Sequence, residues 1–319
     1  MSNAALSDLA TSSRNDFLDD VLAGLSQSQK SLSPKYFYDE AGSDLFEAIC
    51  LTPEYYPTRT ETALLAHVAP ALSAWVQSGC VLVEFGSGAS DKTRLLLDAM
   101  PQITTYMPID ISAGALEPAV DRIKDAYPGV TVVPVEADFT QPIATLDLAT
   151  YPAVLGFFPG STIGNFTPAE AAAFLKAARA MLGPKALFLV GADLVKDPAI
   201  LVAAYDDAAG VTAAFNLNVL KRINTELGGD FDLAQFAHRA RWNASDARME
   251  MHLESLRDQI VHVGHHAFAF RKGETIHTEN SHKFTVKGFD ALALASGWTL
   301  VEQWLAPDDA FAAFLLERF

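Results

Sequence analysis

Between residues 80 and 193 the chain alternates apolar runs of strand length with helical patterns, a rhythm that constrains the fold more than any single motif. VLVEF precedes a helical pattern over about 92–100, TTYMPID precedes another after Ser112, and VTVVPVEA comes next. PAVLGFF, a helix over 168–182 and ALFLVG continue the series. Strands separated by helix-length intervals read as a parallel sheet with crossover helices. The helix over 168–182 has the clearest end signals. Thr167 and Glu170 are spaced as a capping box, Pro168 opens the first turn, and Gly183 follows the last.

After Gly191 the rhythm changes. Two helical segments, about 198–209 and 212–227, run up to a break at Gly228 and Gly229. From about Met249 the chain alternates as strands do, and RDQIVHVGHHAFAFRK and ETIHTENSHKF, separated by Gly273, read as a hairpin. A helix over 288–296 then leads to WTLVEQWL and AFAAFLLERF, split by APDD, a closing antiparallel pair. The division is an α/β core (58–193 plus 283–319) and a second, discontinuous α+β domain (10–57 plus 194–282).

Charge narrows the partners. Acidic residues number 39 against 23 basic, a formal charge of −16 that repels polyphosphate. Arg239 with Arg241 and Lys221 with Arg222 are isolated pairs, so no nucleic-acid partner is expected. No apolar run reaches membrane-spanning length and no leader pattern is readable; Cys50 and Cys80 make neither a disulfide framework nor a zinc site. A cytoplasmic protein without a membrane partner is expected. His262, His265 and His266 invite a metal reading. In a continuous strand, however, His262 and His266 share a face and His265 points away, which is poor chelate geometry. No metal is expected.

VLVEFGSGASDKTRLLL sets a strand, a glycine turn and a helix start in that order. Gly86 and Gly88 allow close backbone approach to a ligand, with amide N–H groups facing it. Asp91 stands where a dinucleotide fingerprint wants Gly or Ala, so the fit to a nicotinamide cofactor is poor. Asp110 ends the next strand, 22 residues beyond Gly88, where an acid accepts ribose hydroxyl protons. With Asp138 and Phe139 after the third strand, the set resembles the S-adenosylmethionine site of class I methyltransferases. That resemblance implies a Rossmann-like, doubly wound seven-stranded sheet.

KYFYDEAGSDLFEAI, LTPEYYPTRTE, FFPGSTIGNFTPAEAAAFL, GADLVKDPAILVAAYDDAAGVTAAFNLNVL and TENSHKF add a second, longer pattern. Together they closely resemble the histidine Nα-methyltransferases of ergothioneine biosynthesis, from about residue 34 onward. The resemblance implies that S-adenosylmethionine carries L-histidine, through its mono- and dimethyl forms, to the trimethyl betaine hercynine, on a monomer without metal. It places cofactor contacts on Tyr38, Gly86, Gly88, Lys92, Asp110, Asp138 and Phe139. It gives the substrate carboxylate to Asn165 and Tyr205, the imidazole to Tyr55, Glu279 and Ser281, and the side-chain pocket to Met251. Tyr38 also has the catalytic role, accepting a hydrogen bond from the amine or relaying its proton.

The chemistry is coherent. An amide and a phenol hold a carboxylate without adding charge, and a carboxylate opposite an imidazole N–H selects histidine over an apolar isostere. Taken one at a time, the tyrosines read as packing aromatics, Asn165 as a turn residue and Glu279 as a solvated strand acid. Their conjunction favours the site. Two other functions stay open on the residues alone: methylation of another aromatic amino acid, and a nonenzymatic S-adenosylmethionine sensor.

Overall fold

The computed structural model describes residues 15–318 apart from 89–90, 112, 141–142 and 144–145. Two compact units emerge: one holds Pro57–Lys196 and Ser281–Phe319, the other the chain up to Tyr56 and Asp197–Asn280.

In the first unit, Cys80–Phe85 is the central strand, parallel to Ile103–Asp110 on one side and Val154–Phe158 on the other. Ala186–Asp193 follows in parallel; Phe311–Arg318 then pairs with it antiparallel, and Trp298–Leu305 closes that edge. The opposite edge, expected as the single strand VTVVPVEA, is split into Thr131–Val132 and Val135–Glu136. Pro134 stands in the gap and has no N–H to give a neighbouring strand. With the split strand taken as one, the spatial order is 3-2-1-4-5-7-6, a doubly wound seven-stranded sheet of class I methyltransferase type.

Every residue of Cys80–Phe85 is buried. Val81, Val83 and Phe85 pack with Phe174 and Leu175 of the helix Pro168–Leu182, while Leu82 packs with Leu64, Leu65 and Leu96. Both faces are therefore covered, which is why the strands read as apolar runs without alternation. The expected capping box is in place: Thr167 N–H donates to Glu170 at 2.8 Å and Glu170 N–H to Thr167 Oγ1 at 3.3 Å.

The second unit is built on a four-stranded sheet, in the order Lys30–Ser31, Thr275–His282, Arg248–Ser255, Phe236–Asn243. Three sequence expectations change here. The helix expected to reach 209 ends at Tyr205, because Asp207 is used as a cap: its carboxylate accepts the N–H of Val211 at 2.9 Å and of Thr212 at 2.7 Å. The hairpin turns at Gly264 instead of Gly273, pairing Gln259–Val263 with His266–Phe270, and the run after Gly273 joins the larger sheet. Gly264, at φ +57°, takes the left-handed conformation that the tight turn needs. That turn also breaks the histidine parity: His262 lies opposite Ala267 and His266 opposite Val263, so the two rings lie on opposite faces. His262 Nδ1 instead pairs with Asp230 at 2.9 Å.

Candidate active site

The glycine loop leaves the central strand with Gly86 at φ +74° and Gly88 at φ +46°. A Cβ on Gly86 would sit 3.4 Å from the Phe139 ring, whereas none of the described residues comes within 4 Å of one on Gly88. The loop is thus supported on one side and open on the other, and its backbone reaches solvent. Gly88 N–H points to Asp110 Oδ2 at 3.4 Å, so the first and second strands present a donor and a carboxylate side by side. These residues suit the S-adenosylmethionine that the resemblance implies, with donors for one end and an acceptor for ribose hydroxyls. Phe139 packs against Phe85 and Phe158, with ring centroids at 6.3 and 5.7 Å, and braces the loop. Asp138 is turned onto its own chain: it accepts the N–H and the hydroxyl of Thr140 at 2.9 and 2.5 Å.

Lys92 forms an ion pair with Glu61, a buried acid that sequence reasoning missed. Glu61 also accepts the N–H of Gly160 at 2.9 Å, tying the turn after Val154–Phe158 to the helix behind the glycine loop. A second missed acid, Glu84, lies immediately before the loop. It accepts the Thr93 hydroxyl at 2.6 Å and the Tyr106 hydroxyl. A lone acid inside the otherwise apolar VLVEF was the available signal.

Burial pushes the Glu84 carboxyl up to about 7, against the two hydroxyls and the nearby charge of Lys92, which act to lower it. Between pH 4.5 and 7 the unfolded chain ionises at this position while the folded chain keeps its proton. The stability that Glu84 contributes is therefore present at low pH and lost as pH rises through 7, by about 3 kcal/mol. Glu84→Gln is expected to be more stable than the parent at pH 8, on the order of 1–3 kcal/mol, and indistinguishable from it at pH 4.5. Thermal melts at the two pH values check this; an equal shift at both would make the effect one of packing.

The second unit holds five of the expected site residues, Tyr38, Tyr55, Tyr205, Met251 and Glu279. Tyr38 stacks edge-on against Phe46 and Phe215, Phe46 against Tyr55, and Tyr55 against Tyr205, with centroid separations of 5.7, 5.8, 6.3 and 6.2 Å. Burial raises the Tyr55 phenol well above its ordinary value, helped by Tyr205, Cys50, Tyr38 and Glu279 around it. Tyr55 therefore stays a neutral phenol, and Glu279 lies close enough to act on it electrostatically. Met251 is 2 % exposed in the apolar core beneath.

Tyr205 ends its helix on a support that the sequence did not reveal. Its carbonyl accepts from His238 Nε2 at 2.7 Å, while Nδ1 of that ring accepts from Asn216 Nδ2 at 2.8 Å. One N–H and one bare nitrogen make this a neutral imidazole, and burial lowers its pKa accordingly. Asn216 in turn accepts the Thr278 hydroxyl at 2.8 Å, one residue before Glu279.

Asn165 and Ser281 both belong to the first unit, and the structure brings their segments together. Asn165 ends the short 3₁₀ helix Thr162–Asn165, and the Gly164 carbonyl accepts from His282 Nδ1 at 3.0 Å. Ser281 is buried, and its Oγ accepts from Lys283 Nζ at 2.7 Å.

Among the described residues, Glu250, His252 and His277 bring ligand-type atoms within 4.8 Å of one another. Arg248 Nη2 already lies 2.7 Å from Glu250 Oε1. Against burial, which would raise it, bonds from Asn243, His252 and Arg248 pull the Glu250 carboxyl down to about 2. The group is built as an ion-pair network. Also among the described residues, no helix is long and apolar enough to cross a membrane.

Comparison with known proteins adds the family. The sequence profile of histidine-specific, S-adenosylmethionine-dependent methyltransferases matches residues 17–318. The histidine Nα-methyltransferase of Mycolicibacterium smegmatis is 44% identical over 304 residues, covering 94% of each chain. That of Mycobacterium tuberculosis is 44% identical over 293 residues, covering 89% of each. Ergothioneine biosynthesis protein 1 of Neurospora crassa is 28% identical over 289 residues, or 86% of this chain and 32% of that longer one. A profile match spanning both units, joined to relatives of equal extent, shows that this chain belongs to the histidine-specific, S-adenosylmethionine-dependent methyltransferases.

Proposed function

We propose that the protein methylates the α-amine of L-histidine three times to give hercynine, at the entry to ergothioneine biosynthesis. The observation that carries this reading is 44% identity, over 94% of both chains, to a histidine Nα-methyltransferase. The aromatic cluster around Tyr55 and Glu279 supports it, since a neutral phenol and a carboxylate are the chemistry an imidazole requires. S-adenosylmethionine, when bound, supplies a methyl group on a positively charged sulfur.

Asp110 and the Gly86–Gly88 backbone hold the cofactor, with Phe139 bracing the loop and Lys92 fixed through Glu61. Tyr38 and Asp138 complete the cofactor contacts. Asn165 and Tyr205 take the substrate carboxylate, which leaves the amine lone pair free to form the new N–C bond as the S–C bond breaks. The amine loses its proton before the attack, and Tyr38 accepts a hydrogen bond from it or helps relay that proton toward solvent. Alignment of amine and methyl supplies most of the acceleration. Tyr55, Glu279 and Ser281 read the ring, and Met251 lines the pocket. The unit made of the chain up to Tyr56 and Asp197–Asn280 acts as the substrate domain.

The enzyme works as a cytoplasmic monomer without nucleic-acid or membrane partners; Cys50 and Cys80, neither in a disulfide, support the reducing setting, and the charge of −16 disfavours a polyanionic partner.

Incubation with S-adenosylmethionine and all twenty amino acids, followed by mass spectrometry, tests the reading. Gains of one, two and three methyls on histidine alone are expected; methylation centred on another amino acid would refute it. The carboxylate pair has its own test. Asn165→Ala or Tyr205→Phe is expected to raise KM for histidine about ten- to a hundredfold, the worth of a hydrogen bond to a charged group, with cofactor affinity unchanged. Histamine, lacking the carboxylate, should turn over poorly, and efficient turnover would contradict the assignment.

A further inference from the structure

Lys283 and Asp193 form an ion pair at 2.8 Å with neither side chain exposed. Lys196 reaches the other oxygen of the same carboxylate at 2.5 Å. Burial alone would raise the Asp193 carboxyl, but Lys283 and then Lys196 hold it below its ordinary value. Removing two charges from water costs several kcal/mol each, and well-packed apolar residues often serve stability as well. The pair therefore invites a role besides holding the fold. Its second contact suggests one: Lys283 Nζ also donates to Ser281 Oγ at 2.7 Å. An ammonium has hydrogens and no lone pair, so the direction of this bond is fixed, with the serine oxygen accepting.

We propose that Lys283 is a positioning residue for substrate choice: it fixes Ser281 as a hydrogen-bond donor, so that the site accepts a ring nitrogen bearing no hydrogen and rejects imidazolium. The proposal rests on the reading of Ser281 as an imidazole contact. A serine hydroxyl without such a neighbour rotates and serves as donor or acceptor alike. Here a protonated ring would turn an N–H toward an oxygen already engaged by an ammonium. Asp193 comes from Ala186–Asp193, Lys196 from just beyond it, and Lys283 from the chain after Thr275–His282. Glu279, two residues before Ser281, is the acid that the reading gives to the ring's own N–H, which leaves the bare nitrogen to Ser281. Ser161, whose Oγ accepts the Asp193 N–H at 2.9 Å, and His282, turned onto the Gly164 carbonyl, also pack there.

Hercynine is the probe that isolates the ring, because its trimethylated amine does not titrate and its imidazole changes charge near pH 6.5. Calorimetry of hercynine with the intact enzyme and S-adenosylhomocysteine should show affinity falling about tenfold per pH unit below about 6.5. Constant affinity from pH 8 to pH 5 would overturn the proposal. Lys283→Met leaves Asp193 paired with Lys196. It should bind hercynine about tenfold more weakly at pH 8, about 1.4 kcal/mol, with a flattened pH dependence. Lys283→Gln, which keeps an N–H donor, should restore both. Ser281→Ala separates the two layers of the argument. If it leaves hercynine affinity unchanged, Ser281 does not touch the ring and the underlying reading fails. If it weakens binding while folded Lys283→Met keeps the parent's affinity and pH slope, the pair is only a strut and this proposal fails. Should Lys283→Met not fold, the titration of the unaltered enzyme decides alone.

Discussion

Glu279→Ala is expected to lower kcat/KM for histidine about thirty- to a thousandfold, a loss of roughly 2–4 kcal/mol of transition-state binding. Glu279 is half-buried on Thr275–His282 and lies near enough to Tyr55 to raise its phenol pKa. A carboxylate there gives an imidazole N–H a charge-assisted partner in a partly desolvated setting, where losing it is most costly. An indole or phenyl ring has no such N–H to lose at that point. Residual activity toward tryptophan or phenylalanine should therefore hold steady or rise, more so with Met251 made smaller. The deciding quantity is the ratio of histidine to tryptophan efficiencies in the parent and the variant. An unchanged ratio would mean that Glu279 behaves as a solvated strand acid.

Asp110→Ala is expected to weaken S-adenosylmethionine binding about ten- to a hundredfold with the fold intact. The carboxylate sits at the end of Ile103–Asp110 with Gly88 N–H directed at it, where the glycine turn opens. In the proposed role, a ribose hydroxyl donating to this charged acceptor would be worth about 1.5–3 kcal/mol. Calorimetry reads the change directly, and unchanged affinity in a folded variant would remove Asp110 from the site. Asp110→Asn refines the result, since the amide keeps the shape and one acceptor oxygen but loses the charge.

The core was legible because its strands are buried on both faces and its helices carry local end signals. VLVEF and ALFLVG admitted few alternatives, and Thr167 with Glu170 marked a helix start that needs no tertiary information. The second unit was harder to read. Its hairpin was misplaced because Gly264 and Gly273 both punctuate the stretch, and the choice depends on which neighbour the following strand finds. Tyr205 was proposed from its segment, but the His238–Asn216 relay behind it joins residues 33 and 22 positions apart, a distance no periodicity reports. The buried acids Glu61 and Glu84 were missed for the same reason: the partners that make them tolerable come from other elements.

The contact at Gly164 limits how this site can change. A methyl group there would stand 2.7 Å from the His282 carbonyl oxygen and 3.3 Å from its nitrogen, so the two backbones meet with no side chain to act as a cushion. One of those backbones continues into Asn165 and the other is flanked by Ser281 and Lys283. The positions proposed for the substrate carboxylate and ring on this unit, Asn165 and Ser281, are therefore machined to a common datum: neither strand nor loop slides without forcing the other. A larger or longer substrate cannot be accommodated here by letting the backbones drift apart gradually. Shifts in specificity in such a scaffold must come from exchanging side chains at fixed stations, which makes single substitutions around the ring informative and loop grafts at 161–165 disruptive.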